Sequence, residues 1–223
     1  MSAAEPNDSP PVRVWDLPTR LFHWALAVAV VAAFVSVEVF DNTQLHVRIG
    51  SVVLGLLLFR LVWGLVGSST ARFSRFVPTP ARLKAYLSNP ERFDDRPGHS
   101  PLGALSVLAM LLALAFQVGT GLFADDEIFT TGPLAKFVSS DFVSWATSLH
   151  HLNHNVIIAL VLLHLAAIAF YRLVRRKSLV PPMIHGRTRM RIATGHEPRW
   201  GSPILAWLIA AASATIAWWI YRL

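Results

Sequence analysis

Apolar residues fill five long stretches of this chain, separated by polar connections of uneven charge. A bilayer core about 30 Å thick takes roughly 20 helical residues to cross, so stretches of that length predict transmembrane helices. They lie at about 21–39 (LFHWALAVAVVAAFVSVEV), 45–67, 101–123, 146–171 and 203–221. The pattern predicts an all-α fold, an integral membrane helical bundle with a four-helix core and a fifth, C-terminal transmembrane helix. Four segments follow: an N-terminal segment at 1–20, the core at 21–175, a basic linker at 176–202 and the last helix at 203–223.

Composition agrees, since 54% of the 223 residues are hydrophobic and only 15% are charged, giving a mean hydropathy of +0.48. That is too apolar for a soluble domain of this size. Charge then sets an expected orientation, because Lys and Arg gather in cytoplasmic loops. The 68–100 connection holds Arg72, Arg75, Arg82, Lys84, Arg92 and Arg96, and the 172–200 connection holds Arg172, Arg175, Arg176, Lys177, Arg187, Arg189, Arg191 and Arg199. The opposite loops hold Asp41 in one case, and Asp125, Asp126, Glu127 and Asp141 with a single Lys136 in the other. Five spans then place the N-terminus in the cytoplasm and the aromatic run Trp218, Trp219, Tyr221 at the outer face. The net charge of +7 reads as this topology signal and not as a nucleic-acid surface. Arg13 and Arg20 precede the first apolar run as they would in a signal peptide, but the long preamble and the later charge alternation favour a retained helix. The absence of cysteine excludes c-type haem attachment, iron–sulfur ligation and disulfides, so any redox chemistry rests on other ligands.

Histidine supplies them. An imidazole in hydrocarbon is costly unless it is paired or ligating, yet the segment SLHHLNHNVIIALVLLHLAAIAF carries four. From His150 to His164 the helix rises about 21 Å and stops about 40° short of four full turns, so the two rings share a face at two depths. His151 is rotated about 140° from His164, and His154 about 80°, which makes His150 the better partner. Two ligands on one face, most of a bilayer apart, suit two stacked haems. Each haem then needs a second histidine from another helix. His46 begins the second helix near the outer face and matches His150; His23 begins the first helix near the inner face and matches His164. His151 and His154 are expected to point to the interface or to a polar contact.

These stretches also carry a family likeness. VWDLPTRLFHW, LHVRIG, FRLVWGLVGSSTARFSRFV, GHSPLGALSVLAMLLALAFQVGTGLF and LHHLNHNVIIALVLLHLAAIAFY together resemble the bacterial cytochrome b561 family, in the branch akin to the membrane cytochrome b subunit of nickel–iron hydrogenases. The likeness covers about residues 12–175. It implies that His23, His46, His150 and His164 are axial ligands to the iron of two haems b, and that Asn155 falls where the family often has an asparagine between the helix-four ligands. His151 departs from the glutamate more usual in the family, and the fifth helix lies outside the minimal four-helix core.

Arg60 follows His46 by 14 residues and shares its face about 21 Å deeper, which suits either a haem propionate or snorkelling to the inner interface. Arg20, one turn before His23, has the same two readings, and Arg48 a similar split. His99 is expected to be structural, and His185 and His196 solvated. Asp125, Asp126 and Glu127 read as a solvated loop, with docking of a basic redox partner as the alternative.

The resulting expectation is a di-haem b-type cytochrome of a bacterial cytoplasmic membrane, surrounded by membrane lipid. It would carry electrons between a redox partner, such as a cytochrome c or a hydrogenase-like subunit, and the quinone pool of a respiratory chain. Quinone is a further candidate cofactor, a homodimer is left open, and no nucleic acid is expected. The alternatives are a quinol-linked oxidoreductase acting on superoxide or ferric iron, and a transporter relaying protons through its histidines. An absorption spectrum separates the colourless transporter from the other two.

Overall fold

A computed structural model describes residues 11–90, 97–126, 130–190, 192 and 196–223. Arg92, Arg96, Glu127 and Arg191, part of the charge pattern above, lie outside the described residues. Five helices are long and apolar enough to cross a membrane: α1 (Leu17–Glu38), α2 (Thr43–Val66), α5 (Pro101–Gly121), α6 (Ser140–Leu173) and α8 (Pro203–Tyr221). Three short helices, α3 (Phe73–Phe76), α4 (Pro80–Ser88) and α7 (Val180–His185), a single 3-10 turn at Ala135–Phe137, and a two-stranded antiparallel ribbon of β1 (Pro11–Arg13) and β2 (Arg187–Arg189) complete the described elements.

Each long helix starts where a short polar side chain can close its first turn. Asp16 accepts from the Thr19 N–H at 2.8 Å, Asn42 from Leu45 at 2.9 Å, Ser100 from Gly103 at 3.2 Å, Ser139 from Phe142 at 3.3 Å and Ser202 from Leu205 at 3.4 Å. These are N-caps, and the prolines at the first position of α5 and α8 cost no hydrogen bond there. Helix α6 begins six residues before its apolar run, because a polar first turn adds length that hydropathy does not see. At 34 residues it is about 51 Å long, well beyond the hydrocarbon core. Along these helices Val28, Val31, Leu65, Leu112, Leu162 and Leu163 are exposed, as lipid-facing side chains are and as a water-soluble surface rarely is.

Contacts divide the chain into two compact units, one drawn from Met1–Leu21, Val62–Leu108 and His164–Ala206, the other from Phe22–Leu61, Ala109–Leu163 and Trp207–Leu223. The first unit is held by polar and aromatic contacts that the apolar pattern did not predict. The carboxylate of Asp16, besides capping α1, accepts the indole N–H of the fully buried Trp63 at 3.1 Å. The His99 ring lies 4.7 Å from both Trp15 and Phe76, which fits its structural reading. Gly186, at φ +81°, ends α7 in the left-handed conformation that favours glycine. Its carbonyl accepts from Val14 and Trp15, at 2.8 and 3.2 Å. Ser69 and Arg199 exchange hydrogen bonds at 2.9 Å, and Ser68 accepts from the Gly201 N–H at 2.9 Å. The hydroxyls of Tyr86 and Tyr171 are 2.8 Å apart; burial, reinforced by that bond, pushes the Tyr86 phenol up to about 12, so it stays neutral.

The second unit has an apolar core of Ala29, Val53 and Leu57, against which Leu26, Ile49, Leu111 and Leu114 are packed. Gly55 on α2 faces α8, where an added Cβ would meet Ala217 Cβ at 3.4 Å. Such small-residue contacts let membrane helices approach closely.

Candidate functional site

The second unit brings together one of the two predicted histidine pairs. His46, in the first turn of α2, and His150, in the third turn of α6, have ring centroids 6.0 Å apart and planes at 85°. The Nδ1 of His46 is 2.9 Å from the Ala33 carbonyl, and that of His150 is 3.0 Å from the Gln117 carbonyl. A carbonyl can only accept, so both Nδ1 atoms carry the proton and both Nε2 atoms present a lone pair. With metal–nitrogen bonds of about 2 Å, two imidazoles on opposite sides of one metal have centroids about 6 Å apart. Perpendicular ring planes are compatible with this, since each ring can turn about its own bond.

The donor set says what such a metal must bring. Among the described residues, no three His, Cys, Asp or Glu side chains converge on one point. Two imidazoles leave a bare ion under-ligated, whereas an iron porphyrin supplies its own four equatorial nitrogens and asks the protein only for axial ligands. Beside the pair runs a cavity of about 300 Å³, walled by Val30, Phe34, Leu114, Val118 and Ile157 among others. Apolar walls suit a macrocycle. Gly121 completes the cradle: a Cβ there would lie 2.8 Å from Cε1 of His150, closer than side-chain carbons pack. Gly121→Ala is therefore expected to displace the His150 ring and, if this pair holds haem, to lower haem content several-fold. Haem-to-protein ratio in the purified variant checks it, and an unchanged ratio would show that the ring can move without loss.

The remaining predicted residues are placed as follows. His151 is exposed, lines the same cavity and meets the His150 ring only edge-on, with centroids 6.3 Å apart. His154 stacks on Phe34 at 4.7 Å, a contact that sequence did not reveal. His23 is half-buried, its ring 5.0 Å from Trp24, and His164 is half-buried on α6. Their pairing rests on sequence spacing. Arg60 is only 3% exposed. Arg20 donates from Nη1 to the Ile184 carbonyl. Asp125 and Asp126 are half-buried, not freely solvated; the Asp126 carboxylate accepts the Thr130 N–H at 2.8 Å.

Sequence reasoning missed Gln117, Thr120 and Asn153. It looked to Asn155, which is exposed, whereas Asn153 is 8% exposed and donates to Gln117 Oε1 at 2.7 Å and to the Ala113 carbonyl at 2.9 Å. The available signal was the amide residue itself: Gln117 is the one amide of the apolar α5, and Asn153 and Asn155 are the two on α6.

A bundle of membrane-crossing helices that fixes two imidazoles by their Nδ1 protons, with their Nε2 lone pairs left for an axial metal, is the framework of a membrane b-type cytochrome. The comparison with known families agrees. Residues 14–186 match the prokaryotic cytochrome b561 family, and the chain belongs to it. It is a multi-pass bacterial membrane protein of electron transfer that binds haem b. Among its relatives are proteins described as probable Ni/Fe-hydrogenase B-type cytochrome subunits. That of Bradyrhizobium diazoefficiens is 23% identical, over 82% of this chain and 87% of the relative. Those of Azotobacter chroococcum and Azotobacter vinelandii are 25% and 26% identical, each over 78% of this chain and 87% of the relative.

Proposed function

We propose that this chain carries electrons across the cytoplasmic membrane, between a redox partner protein and the quinone pool, through two haems b. The observation that carries the reading is the His46–His150 pair, with ring centroids 6.0 Å apart and both Nδ1 atoms on backbone carbonyls. Bound there, haem b supplies a one-electron Fe(III)/Fe(II) couple. The chain's own residues hold the iron axially, exclude water with apolar walls and lower the local dielectric. His23 and His164 are assigned to the second haem on sequence grounds, the spacing of His150 and His164 putting His164 on the same face of α6. Arg60 and Arg20 are assigned to propionates, and burial of Arg60 favours that role over snorkelling. The haem-binding core is 21–175, with the fifth helix outside it. The relatives' names point to a hydrogenase-like partner.

The test is spectroscopic and kinetic. Purified protein is expected to carry two extractable haems b per chain, low-spin and bis-imidazole, and to be reduced by a quinol analogue or to pass electrons to one after reduction by a partner protein. A colourless protein would sink the reading, and rapid turnover with superoxide or ferric chelate in place of a partner would favour an oxidoreductase. Orientation is tested separately: a reporter fused after Lys177 is expected to read cytoplasmic and one after Leu223 periplasmic. Two reporters on one side would mean that α8 does not cross.

A further inference from the structure

Gln117 on α5 is partly buried and Asn153 on α6 is buried, a costly placement for primary amides unless every group is satisfied. Their bonds converge on one residue. Gln117 donates from Nε2 to the backbone carbonyl of His150 at 3.1 Å and accepts at Oε1 from Asn153 Nδ2 at 2.7 Å, while its own carbonyl takes the His150 Nδ1 proton at 3.0 Å. Asn153 also reaches the Ala113 carbonyl at 2.9 Å, one turn before Gln117. Thr120 Oγ1 lies 3.0 Å from the Gln117 carbonyl that His150 uses. A pair of amides serving only as glue between helices could sit at any level. Here they bracket the backbone and the imidazole of a single histidine.

We propose that Gln117 and Asn153 are positioning residues for His150, and that by holding the Gln117 carbonyl against its Nδ1–H they set the strength of the axial ligand and hence the redox potential of the haem there. The inference rests on reading His46 and His150 as haem ligands. A short Nδ1–H···O=C bond makes Nε2 a stronger electron donor, which favours ferric iron and lowers the potential. Loosening the clamp lets that bond lengthen, so the potential rises.

The test uses Asn153→Leu, Gln117→Met and the two together in the full-length protein. The double variant removes both partners at once and leaves little buried polarity unsatisfied, so it is the one expected to fold. Redox titration followed by optical and EPR spectra is run on each, with the outer haem identified as the one lost in His46→Ala. The expected result is that the double variant keeps both haems, the outer haem titrates at higher potential with shifted low-spin g values, and the inner haem is unmoved. The proposal is overturned if the outer haem's potential and g values stay in place, if both haems shift together, or if the double variant loses the outer haem outright, which would make the amides general glue. His150→Ala runs alongside. Should it retain both haems, the ligand reading itself has failed and the positioning role falls with it.

Discussion

On the proposed reading of two haems with His150 as a ligand, replacing His150 by alanine is expected to remove one haem, roughly half the absorbance per chain, while His151→Ala at the same protein concentration is expected to keep both. This contrast is the largest effect expected, because on that reading the haem loses one of its two protein ligands. The two side chains are adjacent in sequence but differ in everything a ligand needs. The His150 ring lies 6.0 Å from that of His46 and has its Nδ1 fixed on the Gln117 carbonyl; the His151 side chain is exposed and meets only the edge of its neighbour. Loss of a porphyrin also removes a large buried element and lowers the stability of what remains. Yield alone is therefore a poor readout, and the haem-to-protein ratio of the surviving fraction is the quantity to measure. If His151→Ala abolishes the haem and His150→Ala leaves the spectrum unchanged, the register of α6 differs from that described. His46→Ala is expected to reproduce His150→Ala, since the proposed site uses both.

Asp16→Ala is expected to lower stability by about 2–4 kcal/mol, the sum of a lost N-cap and a lost hydrogen bond to a buried carboxylate. Asp16 is 3% exposed and serves two masters: Oδ1 accepts the Thr19 N–H at 2.8 Å and Oδ2 the Trp63 indole N–H at 3.1 Å. Asp16→Asn keeps one acceptor and is expected to lose less. Trp63→Phe removes the indole donor but leaves the cap, and its loss combined with Asp16→Ala is expected to fall short of the sum, as it does for residues sharing one bond. Thermal unfolding in detergent, followed by size-exclusion of the surviving monodisperse fraction, orders the variants. Equal midpoints for Asp16→Ala and wild type would show that this bond contributes nothing.

Much of the architecture is legible in one dimension because lipid imposes a one-dimensional rule. Backbone polar groups must be satisfied within each segment, so apolar length alone marks a spanning helix, and five such helices are found where five apolar runs lie. Asp16, Asn42, Ser100, Ser139 and Ser202 stand at the starts of those helices for an equally local reason, the satisfaction of first-turn N–H groups. Helical phase is local as well, so it could prefer His150 over His151 from residue spacing.

Hydropathy is silent where contacts are polar and distant in sequence. Nothing in VWDLPTR announces that its aspartate will find Trp63, nor in the basic 172–200 connection that Arg187–Arg189 will pair as a strand with Pro11–Arg13. The same holds at the site. Sequence determined the helices, their apolar faces and the positions of the candidate histidines. Tertiary structure alone decided that both Nδ1 atoms of the His46–His150 pair lie on backbone carbonyls, and that Asn153, not Asn155, is the buried amide. The physical reason is that hydrogen-bond partners across helices depend on how α1, α2, α5 and α6 are rotated against one another, and no periodicity within a single helix records that rotation.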